Sequence, residues 1–322
     1  MSGTSYTYSQ QLMGTTVSLK LFVENLTAVS AVFNAIEQLE AQLTVNRYHS
    51  EVMGINHAAG KQPVAVSKLV FDLISQAKAA SLLPDSKFNL AIGPLVKLWK
   101  IGFNGRSIPE KDEIARRLTL TNPNHIDLNR TNQTVYLAKA GMEIDLGAIA
   151  KGYIADIIKL LLAQYNIFQA IINCGGNVLT IGYSPITADK QWHIGLKRPF
   201  AEANNLLGII HVEDKSVVTS GIYERYFIFN DQLYHHILDP HTGYPLNNEL
   251  HSVTIISDNS LTGDIYSTIF YGLGIRQGLS ELKKKQNIGV IFVTRDKKII
   301  IQSNQHFTFE LTADDYQLIS YS

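Results

Sequence analysis

The stretch MEIDLGAIAKGYIADIIKLLLAQYNIFQAIIN, residues 142–173, decides the fold class. It reads as a strand, a tight turn at Gly147, a long helix, and then an apolar strand at 170–173. Its most apolar part, residues 153–173, is interrupted by Asp156, Lys159, Gln164 and Asn166. A membrane span needs roughly 18 or more consecutive apolar residues, so this is the pattern of a buried helix followed by a strand. Working toward the N-terminus, a hairpin is predicted over HIDLNRTNQTVYLA (125–138), turning at Asn-Arg-Thr-Asn. A helix is predicted over VSKLVFDLISQAKAASLL (66–83), and another over residues 26–43, where Val29, Val32, Phe33, Ile36, Leu39 and Leu43 recur at three- and four-residue steps. An opening strand covers about 14–23. Beyond residue 173 short β segments alternate with one helix near 262–285. The expectation is a single α+β domain over 1–322, with mixed and antiparallel sheets and packed helices, open to a bilobed form. It is not a regular βαβ array.

Composition narrows the function classes. Hydrophobic residues make up 45% and charged ones 17%, a globular balance. Lys+Arg and Asp+Glu are equal at 28 each, so no basic excess asks for nucleic acid. The first residues lack the charged start and apolar stretch of a signal peptide, and the only cysteine is Cys174. The reading is a cytosolic protein without a disulfide or membrane span.

Four stretches carry chemistry. In EIDLGAIAKGYIAD (143–156), Asp145 ends the predicted strand and a helix starts after Gly147. Its first N–H groups have no helical partner and attract phosphate, and Lys151 adds positive charge. Taken alone, the stretch favours the plainer reading, with Asp145 as a helix cap and Lys151 as a solvated lysine. INCGGNVLTIG (172–182) is either a plain glycine hairpin or a place where a ligand meets bare backbone. In SVVTSGIYERYF (216–227), Thr219, Ser220 and Gly221 offer hydroxyl and amide donors at a strand end. In LTGDIYSTIFYGLG (261–274), helical spacing puts Asp264, Ser267 and Thr268 on one face. Such hard oxygens suit Mg²⁺, although an Asp near a helix start and a Thr bonded to the preceding turn are equally ordinary.

The succession MGTTVSLKLF, GPLVKLW, DLGAIAKGYIAD, NCGGN, VVTSGIYERYF, HHILDPHTGYP and GDIYST, in that order, resembles the ApbE family of FAD:protein FMN transferases. The resemblance runs from Met13 to Gly274. It implies FAD bound in a cleft of one α+β fold, with Mg²⁺ or another divalent ion on its pyrophosphate. The implied metal ligands are the carbonyl of Ala148 and the side chains of Asp264 and Thr268, with Ser267 nearby. Implied flavin and adenosine contacts are Met13, Lys87, Phe88, Asn89, Asp145, Lys151 and the backbone of Leu238. The implied reaction moves FMN to a threonine or serine hydroxyl of an acceptor flavoprotein carrying a Ser/Thr-Gly-Ala/Ser-Thr-like motif, and releases AMP.

That chemistry needs positioned reactants, charge neutralisation and a base for the hydroxyl proton. The base is assigned to His236 in HHILDPHTGYP (235–245), because histidine titrates near neutral pH. Asp239 orients it or lines the same loop, Pro240, Gly243 and Pro245 fix the backbone path, and His235 is read as structural. Two positions depart from the family pattern. Asn89 stands where many members have Asp, and Asn46 where an aromatic ring would cover the flavin. An uncovered pocket admits water, so hydrolysis of FAD to FMN and AMP is one alternative, and a non-catalytic flavin carrier is another. Many relatives are exported or lipid-anchored, which leaves a trimmed form of such a protein as the alternative to the cytosolic reading.

Overall fold

The structure is a computed structural model that describes residues 4–103, 105–202, 204–303 and 306–320. In chain order the elements begin with strands β1 (Tyr6–Leu12) and β2 (Thr15–Leu21), helices α1 (Leu26–Leu43) and α2 (Glu51–His57), and strand β3 (Val64–Ala65). Helices α3 (Lys68–Ser81), α4 (Gly93–Trp99) and α5 (Lys111–Leu118) follow, then strands β4 (Ile126–Asn129) and β5 (Thr134–Leu137). Next come α6 (Ala150–Gln164), β6 (Ala170–Cys174), β7 (Asn177–Ile181), β8 (Trp192–Lys197), β9 (Leu206–Val212) and β10 (Ser216–Gly221). The last part holds β11 (Tyr226–Phe229), β12 (Gln232–His235), β13 (Leu250–Ser257), α7 (Ser260–Leu282), β14 (Ile288–Thr294), β15 (Lys298–Ser303), β16 (Thr308–Leu311) and β17 (Gln317–Ile319). The chain divides into two compact units, residues 1–40, 150–221 and 249–322 forming the first and residues 41–149 and 222–248 the second.

The first unit is built on a nine-stranded sheet of order β1-β2-β6-β7-β10-β13-β14-β15-β17, antiparallel except for the last pair. One face packs on a three-stranded sheet of order β16-β9-β8 through Trp192, Ile194, Leu207, Ile210, Val217, Ile256, Ile291 and Val293. Helix α7 lies against β10 and β13 and against α6. With layers on both faces, β14 is buried at every position, and its sequence IGVIFVT shows no polar alternation. Helix α7 is kinked at Gly274, where φ is 69° and ψ −175°, and the Glu249 carboxylate accepts from the Ile275 N–H at 2.9 Å to restart it.

The second unit carries α2–α5, a three-stranded sheet of order β3-β5-β4 and the ribbon β11-β12. Its core near the ribbon is Leu95, Trp99, Ile101, Ile114, Phe227 and Leu238. Tyr234 stacks on both Trp99 and Phe227, with ring centroids 5.9 and 5.2 Å apart.

The predicted helix over 26–43 has those bounds, and all six of its periodic residues are buried. The predicted 66–83 helix runs over Lys68–Ser81 with Ser67 as N-cap, and the 125–138 hairpin closes with Asn129 opposite Thr134. The strand predicted before Gly147 is absent. Residues 142–146 do alternate between buried and half-buried, but no strand pairs with them. The Asn56 side chain takes the place of a partner, donating to Ile144 O at 3.0 Å and accepting from Ile144 N at 2.8 Å, and Asp145 N donates to Leu90 O at 2.8 Å.

Candidate active site

In the first unit, the N-terminal turns of α6 and α7 meet. Both Asp156 oxygens accept α7 amides, from Ser260 at 2.7 Å and Leu261 at 2.9 Å, and Asn259 caps the helix through Thr262 N. One turn on, Asp264 is buried. Its Oδ2 accepts from Gly152 N at 2.6 Å and its Oδ1 from Asn177 Nδ2 at 2.9 Å, while Asn177 Oδ1 accepts the Ser260 hydroxyl at 2.6 Å. Only glycine fits at 152, since a Cβ there would lie 2.3 Å from Ser260 O and 2.7 Å from the Asp264 carboxylate. Burial pushes Asp264 up to about 6, against the pull of Lys151, the Gly152 amide and Asn177.

Around this carboxylate stand hydroxyls. Ser267 donates to Asp264 O at 3.1 Å and Thr268 to the same carbonyl at 3.5 Å, and the Ser220 and Ser267 hydroxyls are 2.8 Å apart. Thr219, one residue earlier on β10, points to the other face and meets Thr254 at 2.8 Å. The structure therefore brings Lys151, Ser220, Asp264, Ser267 and Thr268 together and separates Thr219 from them. Gly221 ends β10. A carboxylate oxygen with one hydrogen bond and a hydroxyl oxygen that donates its proton both keep lone pairs, so this donor set of hard oxygens fits a small divalent cation. Met13 also lies in this unit, at the β1–β2 turn, with φ 53° and its N–H donating to Glu40 Oε2 at 2.8 Å.

In the second unit, residues 235–245 fold into a braced turn. Asp239 N donates to Tyr244 O at 2.7 Å, Gly243 N to Asp239 O at 2.8 Å, and Leu238 and Pro245 form a bridge. Trp99 Nε1 donates to Gly243 O at 2.8 Å. Gly243 has φ +77°, and a Cβ there would lie 2.6 Å from Ile114 Cγ2, so both backbone and packing demand glycine.

The two histidines differ. His235 is buried, with Nε2 2.7 Å from Leu246 O and Nδ1 accepting from Ile237 N at 3.3 Å, a structural arrangement. His236 is half-buried and sets Nδ1 3.2 Å from Arg225 O. A carbonyl only accepts, so Nδ1 is the protonated nitrogen in this contact. The Asp239 carboxylate is engaged by Lys87 at 3.1 and 3.3 Å and by His241 N at 2.9 Å, so it lines the loop with Lys87.

The remaining predicted residues of this unit are spread. Asp145 does not cap α6, which starts at Ala150; its Oδ1 accepts from Gly147 N at 2.7 Å in a local turn. Burial raises its pKa, opposed by that amide and by the Arg225 charge. Ala148 is exposed, two residues before α6, and Phe88 is buried. Asn89 donates to Thr121 O and accepts from Ala91 N, both at 2.8 Å, a pair of bonds that a carboxylate could not make. Asn46 is exposed and its N–H donates to Thr44 Oγ1 at 3.1 Å. Sequence reasoning missed Asn177, Asp156, Glu40 and Arg225, each holding a predicted residue or element in place.

The model of the ApbE family matches residues 13–292. The chain belongs to the ApbE family. A protein of Klebsiella pneumoniae named FAD:protein FMN transferase is 51% identical over 314 residues, covering 98% of this chain and 97% of its own. One of the same name from Treponema pallidum is 32% identical over 91% of this chain and 86% of its own. The crystal structure of an ApbE protein from Thermotoga maritima superposes with a TM-score of 0.82 at 29% identity, covering 92% of this chain and 96% of that one. The ApbE fold is thus an α+β fold of several sheets, as the sequence indicated. Among the described residues no helix is long and apolar enough to cross a membrane.

Proposed function

We infer that this chain is an FAD:protein FMN transferase, moving FMN from FAD to a threonine or serine hydroxyl of an acceptor protein and releasing AMP. Family membership and the names of close relatives support the activity. The observation that carries the chemistry is Asp264, a buried carboxylate held by Gly152 and Asn177 beside Lys151 and two helix hydroxyls. Asp264, Ser267 and Thr268 would hold a divalent cation, Mg²⁺ by its preference for hard oxygens, and it would supply Lewis-acid neutralisation of the pyrophosphate.

The chain's own groups do the rest. Lys151 adds a fixed positive charge in the first turn of α6, where helix amides favour anions. Nε2 of His236 takes the acceptor hydroxyl proton as the oxygen bonds to the FMN phosphorus. The bond from that phosphorus to the bridging oxygen breaks, and AMP departs with that oxygen. Lys87 and Asp239 hold the loop that presents His236. The acceptor is a flavoprotein segment of the Ser/Thr-Gly-Ala/Ser-Thr type. The cytosolic location read from the sequence remains part of this proposal; Cys174 is buried, forms no disulfide, and burial pushes its thiol up to about 12.

The test is incubation with FAD and Mg²⁺, with and without a small acceptor carrying that motif, followed by AMP quantitation and intact mass. The expected result is an FMN mass on the acceptor matched by AMP, both lost with EDTA. AMP without a mass change would make the chain a hydrolase, and no AMP would make it a carrier.

A further inference from the structure

The solvent-facing side of the three-stranded sheet carries a second set of ligand-type side chains, unrelated to Asp264. His193 on β8 and His211 on β9 stand directly opposite each other in the ladder, with ring centroids 4.3 Å apart. Cross-strand neighbours of this kind project to the same face. The loop before β8 brings in Asp189, whose Oδ1 accepts from Gln191 N at 3.1 Å and whose Oδ2 lies 2.9 Å from His193 Nε2 and 3.8 Å from His211 Nδ1. The three donor atoms lie within 4.8 Å of one another, the one such group found among the described residues.

We propose that Asp189, His193 and His211 form a binding site for a divalent transition ion of the zinc class, with a fourth position open to water. Two imidazoles and a carboxylate are the ligands zinc takes, and tetrahedral bonds of about 2.0–2.2 Å put ligand atoms about 3.3–3.6 Å apart, a spacing that the 2.9 and 3.8 Å from Asp189 Oδ2 to the two ring nitrogens bracket. A lone ion pair would need one histidine on Asp189; here two converge on one carboxylate oxygen through different ring nitrogens. Glu310 on β16 completes the arrangement. Its Oε2 is 3.6 Å from His211 Nε2, on the far side of the ring from Asp189. At that distance it makes no direct hydrogen bond, but its negative charge favours the proton on Nε2 and the lone pair on Nδ1, facing Asp189. Mg²⁺ is a poor occupant, because imidazole suits borderline ions and Mg²⁺ prefers oxygen. Such an ion ties the 185–191 loop to β8 and β9.

Calorimetric titration of the full chain with Zn²⁺, in buffer holding excess Mg²⁺, tests this. The expected result is one Zn²⁺ per chain, at least about 30-fold weaker binding in His193→Ala and in His211→Ala, and a smaller loss in Glu310→Gln. Asp264→Ala keeps the zinc, and the histidine variants keep FMN transfer. His193 is exposed and His211 half-buried, and unchanged melting in EDTA verifies that these variants fold. Zinc bound with equal affinity by the double variant His193→Ala/His211→Ala, or no zinc bound by the wild type, overturns the proposal.

Discussion

The Asp264 junction and the His236 loop solve opposite problems. Asp264 is buried at a helix–helix contact so tight that residue 152 must be glycine, and each of its oxygens already has a donor. His236 sits half-buried on a turn held by backbone bonds, one indole and one ion pair. A group that holds charge gains from a dry, rigid setting, where each interaction is stronger. A group that accepts a proton must keep a defined lone pair and remain reachable. Rigidity is therefore placed in the core on one side and in the loop backbone on the other.

The largest expected effect breaks the first half of the comparison. Asp264→Ala removes charge stabilisation worth several kcal/mol, so AMP release falls by about 10³- to 10⁴-fold. It also leaves the Gly152 amide and the Asn177 amide without acceptors, lowering stability by roughly 1–3 kcal/mol for each, read by urea unfolding. His236→Ala should be milder, with FMN transfer down by about 10²- to 10³-fold while FAD affinity, measured by flavin fluorescence, stays the same. Equal losses of affinity and rate would make His236 a binding residue.

The smallest effect concerns pH. With the folded Asp264 pKa near 6 against an ordinary 3.8, the folded state keeps its proton where the unfolded state has lost it. In EDTA the contribution is favourable below about pH 4 and is lost as pH rises to about 6, by about 3 kcal/mol in total. Asp264→Asn should flatten that slope in urea melts between pH 4 and 7. An unchanged slope would mean that the carboxylate is not held in the dry setting described.

How much of this was legible in the sequence depends on range. Helix α1 could be read because its face repeats every turn, and the 125–138 hairpin because its turn is local. Strand β1 was missed: YTYSQQL is an edge strand with mostly exposed or half-exposed positions, so it carries no apolar alternation. The strand read before Gly147 had the right alternation, but its backbone bonds go to the side chain of Asn56, 88 residues away in sequence, and not to a neighbouring strand. In the site, Asp264, Ser267 and Thr268 were legible because helical spacing puts them together. Asn177 was not, being 87 residues from Asp264. Its only local sign is its place after the Gly175–Gly176 turn. Arg225 was quoted within a motif but without a role, because its carbonyl and not its side chain sets the His236 tautomer.

The chain has two tryptophans, and the fold gives one to each unit. Trp192 is buried on β8 with its indole N–H on Gly182 O at 2.7 Å, and Trp99 holds the His236 loop through Gly243 O. The protein thus contains two separately addressable fluorophores. Emission left in a Trp192→Phe variant comes from the indole that grips the His236 loop, so its wavelength and quenching report that loop's state when FAD and acceptor are added, without an added label.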